Sequence, residues 1–250
     1  AISVAEKFNS ELGRQNFMLY TSADSSLPND ERGRRNYRDA FTKEHWNGLE
    51  FIEAKGDRGG CQTLQQLMGP RPIANNMSLG WKTTSVPTME AVEMYYTKNG
   101  LPWEDDPETK DIDPYAYNAE AGTVNLHLYK EPRFYASVGY DRGTYEIDGK
   151  EITLYLRGGE LHGSTLKETD EYQSCTGYLC QKWIPKASTY SIPSNSFSFY
   201  YYAYPYLRLP ELYLSYAEAD FEYNGSLSTQ SLEYINLVRK RCGLPTFQAS

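Results

Sequence analysis

Hydrophobic positions along this chain recur at helical spacing in several places and alternate in one. Ile2, Ala5, Phe8 and Leu12 fall on one helical face, which predicts a helix within residues 1–20. The polar stretch TSADSSLPNDERGRRN, residues 21–36, is predicted as a loop. HWNGLEFIEAKGDRGG is a short apolar run ended by glycines, and Cys61 to Gly80, rich in Gly, Pro and Asn, is predicted as loop. From Pro87 the pattern turns helical: Thr88 is a good N-cap, Glu90 and Glu93 sit near the positive end of the helix dipole, and Met89, Val92 and Tyr96 share a face. Lys98 falls in the last turn of that predicted helix and Asn99-Gly100 supplies its left-handed end. A second short helix opens at Pro132 as its first residue. Within 143–156, Asp148-Gly149 separates two β-rich runs and suits a type I′ hairpin turn.

The C-terminal forty residues read as an antiparallel helix pair over 209–223 and 228–242. Leu209, Leu212, Tyr213, Tyr216, Ala217 and Asp220 line one face of the first helix, which Asn224-Gly225 ends. Ser228 can cap the second, whose expected buried positions are Leu232, Ile235, Val238 and Cys242. Contact is expected through Leu212, Tyr216, Leu232 and Ile235. A helix, a tight turn and a helix in this length is the size of a tetratricopeptide unit. The stretch from Ser196 to Ala219 contains seven tyrosines. Tyr213 and Tyr216 lie on the buried stripe and read as packing; Tyr200 to Tyr202, leading into the helix, read as structural as well.

Composition narrows the chemistry. The chain has 250 residues and a formal net charge of −8 without a Lys/Arg block, so nucleic acid and anionic membrane surfaces are poor partners. No apolar run is long enough to span a bilayer, and the first residues lack the basic and apolar regions of a leader. The chain is expected to begin and end within a larger domain. The three histidines, 45, 127 and 162, are scattered and the four cysteines include no C-x-x-C, which speaks against a zinc site. Cys175 and Cys180, in CTGYLC, suit either a small disulfide or two free thiols. The acidic stretch Glu104 to Asp113 lacks the glycine and regular spacing of a calcium loop, so a solvated loop is the better reading. Neither DRGGC nor RGGE continues into a phosphate-binding loop.

Four stretches together resemble the SusD/RagB family. They are RLPELYLSYAEADFEYNGSLSTQSLEYINLVRKRCGLP, PTMEAVEMYYTKNGLPWEDDPE, EPRFYASVGYD and, more loosely, HWNGLEFIEA, and they follow the family's order over residues 45 to 246. The resemblance implies a mainly α fold of tetratricopeptide-like helix pairs with a loop-rich portion and a short β-hairpin. Residues 1–250 would be part of a single SusD-like domain, without the early repeats, the lipid-bearing N-terminus or the closing segment. It further implies no catalytic activity and no cofactor. The expected role is a lipoprotein anchored on the outer face of the Bacteroidota outer membrane, touching the membrane only through a lipid outside this chain. Such a protein captures oligosaccharides and passes them to a SusC-like TonB-dependent transporter.

A sugar platform needs flat rings on loops beside amides, carboxylates or guanidinium groups that hydrogen-bond hydroxyls. Three tryptophans meet that description. Trp81 follows the Gly/Asn loop that carries Asn75 and Asn76, Trp46 follows a polar loop with Arg34 and Tyr37, and Trp103 precedes EDDPE. Trp81 ranks first, because a fixed helix start follows it. For each ring the competing reading is a plug that packs a loop onto the core. Arg208, Glu211 and Glu218 read as internal ion pairs or helix-end contacts, since an unpaired buried charge would be costly. Three other functions compete: a peptide- or protein-binding member of the scaffold, a subunit without a ligand, and a glycoside hydrolase, which would need two carboxylates in a recognisable context.

Overall fold

The computed structural model describes residues 17–21, 24, 26–43, 50–70, 83–162, 174–191 and 196–248. The helix predicted through Ile2, Ala5, Phe8 and Leu12 lies outside them. In chain order the helices are α1 Asn29–Thr42, α2 Arg58–Met68, α3 Met89–Glu93, α4 Pro132–Ser137, α5 Leu209–Asn224 and α6 Thr229–Arg241. The strands are β1 Phe51–Lys55, β2 Tyr117–Asn118, β3 Thr123–Val124, β4 Val138–Gly139 and β5 Thr144–Ile147, then β6 Lys150–Thr153, β7 Leu179–Cys180, β8 Thr189–Ser191, β9 Ser196–Ser198 and β10 Tyr204–Arg208. The architecture is helix-rich, and the strands form only two-stranded antiparallel pairs: β1–β10, β2–β3, β4–β7, β5–β6 and β8–β9. Two compact units result, one comprising the chain up to Asp57 and from Tyr202, the other Arg58–Tyr201. No helix among the described residues is long and apolar enough to cross a membrane.

In the first unit the predicted C-terminal helix pair is present. Gly225, at φ 69°, ends α5, and Ser228 caps α6 by accepting from Ser231 N at 3.2 Å. The turn is tied from the other side by Asp220 of α5, which accepts from Ser228 N at 2.8 Å, from Asn224 Nδ2 at 2.8 Å and from Ser231 Oγ. These donors hold the Asp220 carboxyl well below the usual carboxylate range. The contact face differs from the expected one. The buried positions of α6 are Ser231, Tyr234, Val238 and Arg241, with Leu232 and Ile235 only partly buried. Tyr234 stacks on Tyr213 at 4.5 Å and meets Tyr216 edge-on at 5.2 Å, so an aromatic trio joins the helices.

Two elements here replace expected loop or lead-in. Residues 29–42, of which 29–36 fall in the predicted polar loop, form α1, with Asp30 and Glu31 in its first turn. Its buried face is largely polar (Arg34, Asn36 and Arg38 beside Ala40 and Phe41), which hid it from hydrophobic periodicity. That face crosses the end of α6: Asn36 Nδ2 donates to Arg241 O at 3.2 Å and Asn29 Nδ2 to Gly243 O at 3.1 Å, satisfying carbonyls a helix end leaves open. Gly33 makes the crossing possible, since a Cβ there would lie 2.4 Å from the main chain of Cys242. Gly33→Ala is therefore expected to cost about 2–3 kcal/mol by forcing two backbones apart. A urea midpoint unchanged from the parent would refute this. The second surprise is β10, where a lead-in to the helix was expected. Residues 204–208 pair with β1, leaving Tyr204 and Tyr206 outward and Pro205 inward.

In the second unit the hairpin β5–β6 has both turn residues at positive φ, 58° at Asp148 and 71° at Gly149, as a type I′ turn requires. Pro132 is the first residue of α4. Thr88 caps α3, its Oγ1 accepting from Ala91 N at 3.3 Å, but the helix stops at Glu93 rather than running to Lys98. The backbone beyond it is claimed by 129–131 instead. Tyr96 N donates to Glu131 Oε1 at 3.1 Å, Glu131 N to Tyr96 O at 3.0 Å and Lys98 N to Tyr129 O at 2.8 Å. The buried Lys130 ammonium caps the helix end, donating to Glu93 O at 3.1 Å and Tyr95 O at 2.6 Å.

Residues 58–68, expected as loop, form α2. Its buried Gln65 is satisfied by Tyr200 O at 2.9 Å and Ser188 Oγ at 2.6 Å. Two hydrophobic clusters hold this unit, one around Tyr145, Ile147, Leu154, Leu179 and Ile184, the other around Val92, Leu126, Phe134, Val138 and Tyr178. All four cysteines are free thiols.

Candidate functional site

The short helix α3 and its capping turn form one wall of a cavity of about 730 Å³ in the second unit. Thr84, Ser85, Val86 and Pro87 lead into that wall; Ala91, Met94 and Tyr95 continue it; Met68 at the end of α2 closes one side. Opposite stand Glu131, Arg133, Ser137 and Val138 from α4 and its flanks, with Cys180 and Lys182 from β7 and the residues after it. The walls are fixed to one another. Gln181 N and Lys182 N donate to Ser137 O at 2.7 and 3.3 Å, and Tyr95 meets Phe134 edge-on at 5.7 Å. Burial raises the Tyr95 phenol above its ordinary pKa, so it stays a neutral hydroxyl near neutral pH.

Glu131 and Arg133 flank Pro132 and make a two-pronged pair, through Arg133 Nε and through Nη2 at 2.8 Å. Glu131 is buried while the Arg133 side chain is 31% exposed, so the guanidinium is the member that reaches outward. At the rim Met94 is 80% exposed. An apolar wall, a tethered ion pair and four hydroxyl residues, Thr84, Ser85, Tyr95 and Ser137, suit recognition by contact and hydrogen bonding. Hydrolysis of a glycosidic bond calls for two facing carboxylates, and the described lining supplies only Glu131, already engaged by Arg133 and the Tyr96 N–H.

The sequence-predicted ligand residues are placed unevenly. Trp81, Trp46, Asn75 and Asn76 lie outside the described residues. The residues soon after Trp81, Thr84 to Pro87, do line the cavity. Trp103 is partly buried and packs on the Val92–Phe134 cluster. Its Nε1 donates to Ile112 O at 3.1 Å, its ring meets Tyr129 edge-on at 5.9 Å, and the Lys130 ammonium lies 5.9 Å from the ring centre.

Arg34 and Tyr37 stand on α1 rather than on a loop. Arg34 is buried and pairs with Glu31 at 2.9 Å, and Tyr37 meets Phe41 edge-on at 5.2 Å with the Arg241 guanidinium 5.8 Å from its ring centre. Both therefore belong to the first unit, whereas Trp103 belongs to the second.

In the acidic stretch Asp106 is buried and accepts from Thr97 Oγ1, from Asn99 Nδ2 at 3.0 Å and from Glu108 N at 2.9 Å, which makes it the organiser of its loop. Among the described residues no group of His, Cys, Asp or Glu is placed to hold a metal ion. Sequence reasoning missed Met94, Tyr95, Glu131 and Arg133 as lining. The Glu-Pro-Arg run was a usable signal, because Pro at the first helical position sets its charged neighbours at one turn.

The family model described as the SusD family matches residues 49–250. No match was found among the curated proteins. Among solved structures, BT4246 superposes with a TM-score of 0.73 at 22% identity, over 97% of this chain and 43% of its own. A SusD-like protein from Bacteroides fragilis gives 0.63 at 20%, over 100% and 44%. A SusD-like carbohydrate-binding protein from the same species gives 0.59 at 18%, over 99% and 42%. The chain thus spans less than half the length of the structures it matches, and at these identities the likeness shows the fold alone.

Proposed function

Since the chain belongs to the SusD family, we propose that it is the glycan-capturing part of a cell-surface lipoprotein that delivers oligosaccharides to a SusC-like TonB-dependent transporter in the outer membrane. Family members are outer-membrane-associated lipoproteins of Bacteroidota, and one matched structure is that of a SusD-like carbohydrate-binding protein. The observation that carries the reading to particular residues is the cavity beside the Thr84–Pro87 turn. It joins an apolar wall to fixed polar groups in a lining with a single engaged carboxylate, an arrangement for holding a sugar rather than cleaving it. The lipid anchor, the extracellular address and the transporter are parts of the same proposal.

Calorimetric titration of the full-length protein with a panel of neutral and acidic oligosaccharides tests it. Met94→Arg places a bulky charge at an 80% exposed rim position, so the fold should not change. It is expected to weaken binding of the recognised glycan about tenfold or more, with the melting temperature within about a degree of the parent. A folded parent protein that binds no member of the panel, but does bind a peptide mixture, would replace the glycan reading with the peptide one. Copurification with a TonB-dependent transporter from detergent-solubilised membranes checks the partner.

A further inference from the structure

Two tyrosines of the second unit keep their rings partly in solvent, that of Tyr155 lying parallel to the buried His162 ring at 6.4 Å between centres. Tyr117, on β2, is 58% exposed, and Tyr155, just after β6, is 42% exposed. Each lies against a guanidinium group: Arg157 Cζ is 5.5 Å from the centre of the Tyr117 ring, and Arg142 Cζ is 4.7 Å from that of Tyr155.

The two arginines are joined by carboxylates. Asp141 accepts from Arg142 Nη1 at 3.0 Å, from Arg157 Nε at 2.8 Å and from Leu156 N at 3.0 Å. Glu160 takes both arms of Arg142, with Nη1 at 2.9 Å, and the Arg157 N–H at 3.0 Å. Arg157 Nη2 also donates to Gly122 O, so one guanidinium fastens the β2–β3 hairpin to the 155–162 turn. Arg142 holds φ 67°, a left-handed conformation that a non-glycine residue adopts at a cost, and its N–H is fixed by Leu154 O at 2.9 Å.

Fastening the hairpin accounts for the four charges. It does not account for two exposed rings set against them. A flat ring stacks on the C–H face of a pyranose, and rigid guanidinium and carboxylate groups beside it give and accept hydrogen bonds from ring hydroxyls. The charge balance selects among ligands. Two cations and two carboxylates are mutually paired here, so the patch offers no net field to an acidic sugar, a phosphate or a basic peptide. We propose that Tyr117 and Tyr155, with Arg142, Asp141 and Arg157 between them, form a carbohydrate contact surface for a neutral oligosaccharide, separate from the cavity lined by Met94 and Tyr95. The proposal rests on this surface alone and does not require the cavity to be occupied.

The test is affinity electrophoresis and calorimetry of the full-length protein with neutral glucan, xylan, mannan and galactan oligosaccharides, with polygalacturonate and a casein peptide digest as contrasting probes. Four proteins are compared: the parent, the double variant Tyr117→Ala with Tyr155→Ala, Met94→Arg and Arg157→Lys. Arg157→Lys is a milder companion that keeps the charge but loses the two-armed geometry. The double variant is expected to lose about tenfold or more in affinity for a neutral oligosaccharide, at an unchanged melting temperature, with Arg157→Lys intermediate. Parent-like binding of every neutral probe by the double variant would overturn the proposal, as would a loss confined to polygalacturonate or peptides, or no binding of any neutral probe by the parent. If Met94→Arg alone weakens binding, this surface is refuted and the cavity reading stands. If the tyrosine pair alone weakens it, the cavity reading fails and this surface stands.

Discussion

Glu50→Gln is expected to destabilise the protein by about 3–5 kcal/mol, the cost of leaving buried guanidinium groups without their counter-charge. Glu50 is 3% exposed and lies between two arginines. Arg208 Nη1 donates to its Oε1 at 2.8 Å and Arg241 Nη1 to its Oε2 at 3.0 Å; Tyr20 N donates to Oε2 at 2.7 Å. Arg208 also lies 3.8 Å from the centre of the Phe41 ring, and Leu209 N bonds Glu50 O at 2.9 Å, which sets the start of α5 against β1. The glutamine is nearly isosteric, so packing survives while one negative charge between a buried and a partly buried cation disappears. Coulombic repulsion between the guanidinium groups then acts in a low-dielectric setting. Urea unfolding followed by tyrosine fluorescence measures the loss, and a shift below about 1 kcal/mol would mean that water already screens the triad. The pair expected from sequence for Arg208 is thus real; Glu211 stands exposed in the first turn of α5, at the helix end, and Glu218 is exposed in its middle.

Acidification should produce a comparable effect in the second unit. His127 is held neutral between Thr123 Oγ1 at 2.7 Å and Tyr178 Oη at 2.9 Å, with its ring 4.6 Å from that of Tyr140, and burial pushes its pKa down to about 4. His162, whose Nδ1 accepts from Tyr155 N at 3.0 Å, is likewise pushed down by burial to about 4. In the unfolded chain both take up a proton near pH 6.5, so between about 6.5 and 4 the unfolded state binds more protons than the folded one and stability falls as pH falls. Above 6.5 both states carry neutral imidazole and the effect vanishes. His127 should lower stability by about 2 kcal/mol at about pH 4.5, and His162, held to the same value, by a similar amount. Carboxylates held low, such as Glu160 beside Arg142, add a loss in the same direction as the pH nears their unfolded value of about 4.5, so the fall between about pH 6.5 and 5.5 is the part that belongs to the histidines. Urea midpoints across pH 7 to 4.5 check the slope, and His162→Gln should flatten part of it. A midpoint constant through that range would contradict the assignment of both histidines as neutral.

The features legible in the sequence are those whose causes are local. Gly225 and Ser228 fix the junction of α5 and α6, Asp148-Gly149 makes the hairpin turn, Pro132 opens α4 and Thr88 starts α3, because in each case a residue's own backbone preference or cap bond decides the outcome within four positions. The elements that stayed hidden are those whose buried faces are polar or whose partners are distant in the chain. Arg34 and Asn36 on α1 and Gln65 on α2 look like surface residues until Glu31, Arg241 O, Tyr200 O and Ser188 satisfy them. β10 becomes a strand only because β1 lies beside it, and α3 stops early because Glu131 and Lys130 take its next hydrogen bonds. The same division holds for ligand contact. The sequence by itself determined that this is a helix-pair protein of the SusD family, rich in aromatic rings. Only the tertiary structure decided which rings remain exposed, since Trp103 is covered by Tyr129 and Lys130 while Tyr117 and Tyr155 are propped outward by Arg157 and Arg142. Exposure depends on which residues the fold sets around a ring, and neighbours beyond a few turns of chain leave no mark in local spacing.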